Sequence, residues 1–268
     1  MLIMPRIRFS KKHIPIFYIE GTGWLDREWY PHQILGLISQ LVEATQWRRI
    51  DKDHIEYRPW RLNRIVRDFH KLYYKSMTRT WGNTFWFGVP VAKCPLDLWV
   101  YQEVMFQPKP DLIIETGTAK GGSALFLANM CDLERGEVIS IDIAAVDIRP
   151  QHRRITYFLG SSTSPEILRQ VQERRKQANT CLVVLDSDHS KVHVLNELRL
   201  YSNLVSKGSY LIVQDTNLNG HPVLEHFGPG PWEAVEEFLA GNTDFIHDEH
   251  LEKFYMTQNP LGFLKKIR

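Results

Sequence analysis

A chain of 268 residues, 43% hydrophobic and 24% charged, can bury a full core and fits one domain of ordinary size plus an extension. Its net charge of +2 is too small to argue for nucleic acid or a membrane surface. Its three scattered cysteines, Cys94, Cys131 and Cys181, exclude a disulfide framework and a Cys-rich zinc site. The start, MLIMPRIRFSKKHIPIFYI, sets charges among its apolar residues, so it reads as neither a signal peptide nor a membrane span. The expected compartment is the cytoplasm.

Residues 32–46 carry apolar residues at helical spacing, and a second helix is predicted over 60–74, with Leu62, Ile65, Val66, Phe69 and Leu72 on one stripe. An aromatic loop, TRTWGNTFWFGVPVAKCP, leads into LDLWVYQEVMFQ, a further helix that Pro108 and Pro110 end. Residues 1–107 therefore read as a helical N-terminal extension with an aromatic cap. From 108 to 268 the character changes. DLIIET, EVISIDI, ITYFLGS, CLVVLDS and SYLIVQDT are short apolar runs. GGSALFLANMCDL, PEILRQVQERRKQA, KVHVLNELRLYSNLV and PWEAVEEFLA are helical. Runs without polar alternation predict strands covered on both faces, and strands alternating with helices predict a parallel sheet. The tail reads as two last strands with a turn at Asn259–Gly262, giving an antiparallel edge strand. The expected class is α/β, a Rossmann-like doubly wound, mostly parallel sheet.

Ligands of such sheets sit at the carboxyl ends of the strands, so the residues just past each apolar run carry the information. They are Glu115, Gly117, Asp142, Gly160, Ser161, Ser162, Asp186, His189 and Asp215. ETGTAKGGS is not G-x-G-x-x-G, and an acid at that strand end disfavours phosphate and suits a cation such as the amino group of an amino acid. Asp142 can accept both hydroxyls of a ribose or serve as a turn residue. An amino-acid end on one strand and a ribose on the next together describe S-adenosylmethionine.

Asp186 and Asp215 each close an apolar strand, where an unpaired carboxylate is costly. Two such acids make an oxygen-rich pocket suited to Mg2+, to which Gln214 and Thr216 could each add an oxygen. Neighbouring strand residues normally point to opposite faces, however. His189, three residues past Asp186, can act as a general base, its ordinary pKa being about 6.5. Three other readings stay open. Asp186, His189 and His193 are themselves a ligand set for zinc or iron; His247, Asp248, Glu249 and His250 match a non-haem iron oxygenase triad; or the fold is a non-catalytic binding partner.

The blocks NTFWFGVPVAKCPLDLWVYQEV, DLIIETGTAKGGSALFLANM, VVLDSDHSKVHVLNELRLYSNLVSKGSYLIVQDT and GPGPWEAVEEFL resemble those of the cephalosporin hydroxylase and rhamnosyl O-methyltransferase family. The resemblance covers about residues 80 to 268. It implies a metal-dependent O-methyltransferase using S-adenosylmethionine and Mg2+, related to macrolide-sugar and catechol-type enzymes. Glu115, Gly117 and Ser123 would line the methionine end, Asp142 the ribose, and Ser161 and Ser162 the adenine, with Thr118 also binding the cofactor. Asp186 would touch the cofactor and, with Asp215, hold Mg2+, with His189 as general base. The macrolide-sugar enzymes have Glu just before the second Asp; Gln214 here lowers the charge of the site. The implied acceptor is a small hydroxylated molecule, one hydroxyl of a vicinal pair, rather than nucleic acid or membrane. The aromatic loop Trp81–Phe87 and the loop Asn217–Gly230 are expected to shape its pocket. The helical extension and the edge strands offer surfaces for a homo-oligomer.

Overall fold

The computed structural model describes residues 59–146 and 148–268 and, before them, five short strands. These are β1 (Ile7–Phe9), β2 (Phe17–Ile19), β3 (Gly23–Trp24), β4 (Trp47–Arg49) and β5 (Ile55–Tyr57). The helix expected over 32–46 lies outside the described residues. The chain divides into two compact units, Met1–Ile65 and Val66–Arg268. In the first, β1, β2 and β3 form an antiparallel sheet and β4 pairs antiparallel with β5. Before Pro59 the described residues are those of these five strands.

Helix α1 (Pro59–Lys75) begins in the first unit and ends in the second. Its expected apolar stripe is not its buried face. Ile65, Phe69 and Leu72 are exposed, whereas His70 is 5% exposed. The reason is that, within the second unit, the end of the helix packs through polar aromatics. Tyr74 stacks on Trp81 with centroids 5.4 Å apart, and Nε2 of His70 lies 3.1 Å from Nδ2 of Asn217. The aromatic loop folds into a hairpin, β6 (Phe85–Trp86) and β7 (Val89–Pro90). Trp86 packs edge-on against Phe126 and donates its N–H to Asn129 Oδ1 at 2.8 Å.

Seven strands form the central sheet: β8 (Leu112–Thr116), β9 (Glu137–Asp142), β10 (Ile155–Leu159), β11 (Cys181–Leu185), β12 (Tyr210–Val213), β13 (Phe245–His247) and β14 (Phe263–Lys266). Their order is β10-β9-β8-β11-β12-β14-β13, and the pairings from β10 through β12 are all parallel. β14 runs antiparallel to both its neighbours. The antiparallel strand therefore lies one place in from the edge, and the edge strand is β13. The turn expected at Asn259–Gly262 is present, closed by Gly262 N–H to Asn259 O at 2.9 Å. It leads into β14 rather than joining two strands directly.

Helices cover both faces, as unalternated apolar strands require. On one face lie α2 (Pro95–Phe106) and α3 (Gly122–Glu134), which bury Val100, Val104 and Leu127 against Ile113, Leu182 and Val184. On the other, α4 (Pro165–Arg175), α5 (Lys191–Tyr201) and α6 (Pro231–Gly241) bury Val171, Leu198 and Val235 against Leu112, Ile114 and Val183. Successive strand residues go to opposite cores, as the two-residue period dictates. Capping is local and legible. Ser164 accepts the Ile167 N–H at the start of α4, and Pro165 takes the first helical position. At the start of α6, Glu233 Oε2 accepts the Gly230 N–H at 2.7 Å. Among the described residues no helix is long and apolar enough to cross a membrane.

Candidate active site

Strand order reverses between β8 and β11, and a crevice is expected where their carboxyl ends part. A cavity of about 700 Å³ opens there, walled by the residues that follow β8, β9, β10, β11 and β12 and, opposite, by Trp81 and residues 90–92.

The exit of β8 is dictated by close packing. Gly117 has φ of +87°, and a Cβ on it would stand 1.8 Å from the carbonyl oxygen of Asp186, so the first and fourth strand exits touch backbone to backbone. The glycines of this turn make room for neighbouring protein as much as for a ligand. Glu115 is fully buried and does not line the cavity. Its Oε2 accepts from Ser140 Oγ at 2.6 Å, and Ser140 Oγ lies 2.7 Å from Thr118 Oγ1 on the cavity wall. Burial raises the Glu115 pKa, against the lowering pull of Lys93 and of the Ser123 and Ser140 hydroxyls. Ser123 lines the cavity beside Thr118.

Asp142, at the end of β9, also lines the cavity. Its Oδ2 accepts the Ala119 N–H at 2.7 Å and its Oδ1 the Ala144 N–H at 2.8 Å. Arg149 adds an ion pair at 3.1 Å and donates to the carbonyls of Ala119 and Ala144. It therefore ties the β8 turn to the β9 exit. Ser161 and Ser162 line the wall beyond β10, with Ser162 Oγ 3.3 Å from His193 Nε2.

At the centre, Asp186, His189 and Asp215 bring one ligand atom each within 4.8 Å of one another. Nε2 of His189 is buried, 3.5 Å from Asp186 Oδ1 and 3.4 Å from Asp215 Oδ2, too far for a strong hydrogen bond to either. Burial would lower the imidazole pKa, but the two carboxylates outweigh it and raise it to about 9. The carboxylates themselves differ. Burial pushes both up, yet Lys93 and His189 hold Asp186 below its ordinary value. Asp215 makes no contact with Lys93 of that kind and stays raised. Asp215 adopts φ of +54°, uncommon for a non-glycine residue.

Two converging carboxylates, with the unsatisfied His189 nitrogen facing the space beside them, fit a divalent cation of the oxygen-preferring kind. Gln214 and Thr216 flank Asp215 but are buried and do not line the cavity. His193 is not in the cluster; it turns to Ser162 and to Glu197, 3.5 Å away. The tail residues do not converge either. His247 pairs with Glu252 at 2.6 Å, and Asp248 accepts from Tyr210 Oη at 2.8 Å. Of the expected acceptor loops, Trp81 lines the cavity, whereas residues 217–230 do not.

Sequence reasoning missed Lys93, whose Nζ lies 2.5 Å from Asp186 Oδ2 at 4% exposure. A single lysine in VAKCP carries no pattern, and only the tertiary fold brings it beneath β11. It missed Arg149 for the same reason.

This sheet with its row of acids defines a Rossmann-like methyltransferase. Residues 78–267 match the family described as Rhamnosyl O-methyltransferase/CmcI. The rhamnosyl O-methyltransferase of Mycobacterium tuberculosis is 36% identical over 252 residues, spanning 91% of this chain and 98% of that protein. That of Mycobacterium leprae is 40% identical over 218 residues, spanning 78% and 92%. An apo structure of CmcI-N160 shares the fold at a TM-score of 0.55 and 20% identity, over 69% of this chain and 76% of that one. A CmcI-D160 structure with Mg and SAM also gives 0.55 and 20%, over 69% and 77%. The chain belongs to the rhamnosyl O-methyltransferase/CmcI family, and it is an O-methyltransferase.

Proposed function

We propose that the chain transfers a methyl group from S-adenosylmethionine to one hydroxyl of a vicinal pair on a small molecule, with a sugar such as a rhamnosyl unit as acceptor, and that it needs a divalent cation, Mg2+, to do so. The observation that carries this reading is the Asp186–His189–Asp215 cluster on the wall of a cavity whose adjoining strand exits present Thr118, Asp142 and Ser162. The relatives' names support the acceptor class, and the CmcI complex with Mg and SAM supports the cofactors.

Asp186 and Asp215 would hold the cation, which supplies Lewis acidity, while S-adenosylmethionine supplies an electrophilic methyl group. Thr118 and Ser123 would face its amino-acid end, with Glu115 buried behind Thr118 and linked to it through Ser140. Asp142 keeps unused lone pairs for the ribose hydroxyls, since each of its oxygens can accept more than one hydrogen bond. Ser161 and Ser162 sit at the adenine end. His189 holds a proton while the carboxylates face it unneutralised. Nε2 is the atom that would accept the proton of the acceptor hydroxyl. Trp81 offers an apolar face to a sugar ring. Positioning of donor and acceptor provides the rest of the rate. Three free, buried cysteines support placing the protein in a reducing compartment, the cytoplasm.

The test is methyl transfer to a panel of rhamnosides, measured with and without a chelator. Transfer should vanish with chelation, return with Mg2+, and fail on acceptors lacking the neighbouring hydroxyl. Full transfer in the presence of the chelator would remove the metal from the reading.

A further inference from the structure

The unanticipated lysine is the feature of the site with the largest physical consequence. Lys93 is held by its own backbone: its N–H donates to Thr84 Oγ1 at 3.3 Å, and its carbonyl accepts from the same hydroxyl at 3.2 Å. The next residue, Cys94, donates its N–H to Gln258 Oε1 at 3.0 Å. The backbone here is therefore fixed, and the buried ammonium lies 2.5 Å from Asp186 Oδ2 with 5% of the side chain exposed. A cation this deeply buried survives only when paired. Besides the bonded Asp186, the carboxylates of Glu115 and Asp215 act on it electrostatically.

Two consequences follow for any cation that binds beside it. Asp186 Oδ2 is bonded by the cationic Lys93, so Oδ1, the oxygen facing His189, is the better placed of the two to ligate a cation shared with Asp215. The ammonium is also a permanent positive charge, one carboxylate away from that cation. At the effective dielectric of a protein interior, like charges a few ångströms apart repel strongly.

We propose that Lys93 is a positioning residue that biases Asp186 toward ligation through one oxygen and weakens the site's hold on a divalent cation. The proposal rests on reading the Asp186–His189–Asp215 cluster as a cation site. It makes the ion an exchangeable participant rather than a structural fixture.

The test uses Mn2+ alone, titrated into the full chain without cofactor or acceptor, with free Mn2+ followed by its electron paramagnetic resonance signal. Lys93→Met should bind Mn2+ at least about tenfold more tightly than wild type, because a like charge is removed and the second oxygen of Asp186 is released. Lys93→Arg keeps the charge and can engage both oxygens, so its affinity should equal or fall below that of wild type. Unchanged or weaker binding by Lys93→Met overturns the proposal while leaving the cation site standing. Tighter binding by Lys93→Arg overturns it too, and decides the matter if Lys93→Met does not fold. If wild type and Lys93→Met both ignore Mn2+, the cation reading fails and the proposal with it.

Discussion

The amide of Asp215 donates to Asn259 Oδ1 at 3.1 Å, and Asp215 is the residue whose backbone turns left-handed at the end of β12. That conformation is sterically costly for a residue with a Cβ, so something must hold it. Asn259 is fully buried and is itself fixed, its N–H donating to Thr257 Oγ1 at 2.9 Å. The bond therefore aims the second acid of the cluster. Asn259→Ala leaves that amide unsatisfied, and we expect a stability loss of about 1–3 kcal/mol. Mn2+ affinity should fall by an order of magnitude or more, with S-adenosylmethionine binding changed less than about twofold. Calorimetric titration of each ligand separates the two, and an unaltered Mn2+ affinity would detach Asn259 from the site.

His189→Ala tests the proton acceptor. We expect turnover to drop by about 10²–10⁴-fold, the usual share of general base catalysis, while the dissociation constant for S-adenosylmethionine stays within about twofold. Unchanged turnover would take His189 out of the base role.

Gly117→Ala addresses the contact between the exits of β8 and β11. A Cβ there meets Asp186 backbone at 1.8 Å, which cannot relax without moving a cluster residue, and φ is already +87°. Gly208, at φ of +82°, has nothing within 4 Å of the corresponding Cβ and serves as the control. Gly208→Ala should cost about 1–2 kcal/mol from the backbone alone, and Gly117→Ala clearly more, with loss of cofactor binding. Equal urea midpoints for the two variants would show that the close approach matters little.

His70 predicts a pH dependence of stability. Burial lowers its pKa from 6.5 to about 4, so the folded chain favours the neutral imidazole. Stability from this group is full above pH 6.5. It is lost as pH falls from 6.5 toward 4, where the unfolded chain takes up a proton and the folded chain does not. The loss amounts to about 3 kcal/mol. In His70→Gln, the difference in unfolding free energy between pH 7.5 and pH 4.5 should shrink by that order. An identical pH profile in wild type and variant would mean that the imidazole is solvated.

The five parallel strands and their helices were legible because each strand is an unbroken apolar run ending in a polar residue. DLIIET, VISID and CLVVLD announce both their burial and the point where they leave it. The residues that follow those runs do meet in one cavity, since a parallel sheet puts all carboxyl ends on one side. What the sequence withheld depends on contacts distant along the chain. Lys93 and Asp186 are 93 positions apart, and neither neighbourhood marks the other. The stripe on α1 misled because periodicity reports an amphipathic face without saying which face is covered. His70 and Tyr74, polar enough to be discounted, make the contacts. The sequence points to an antiparallel strand at the rim because a turn before the last apolar run suggests a simple hairpin, and nothing local shows that β14 inserts beside β12.

That insertion has a consequence for how the protein is made. β13 emerges from the ribosome before β14 yet has no place in the sheet until β14 separates it from β12. Until then the flank of β12 presents unpaired backbone groups, an adhesive edge during synthesis. Asn259, which aims Asp215, travels on the same late segment. Nascent chains stopped short of it would carry the cavity wall of β8 to β11 without the bond that orients Asp215, so the acid cluster is completed only with the closing of the sheet.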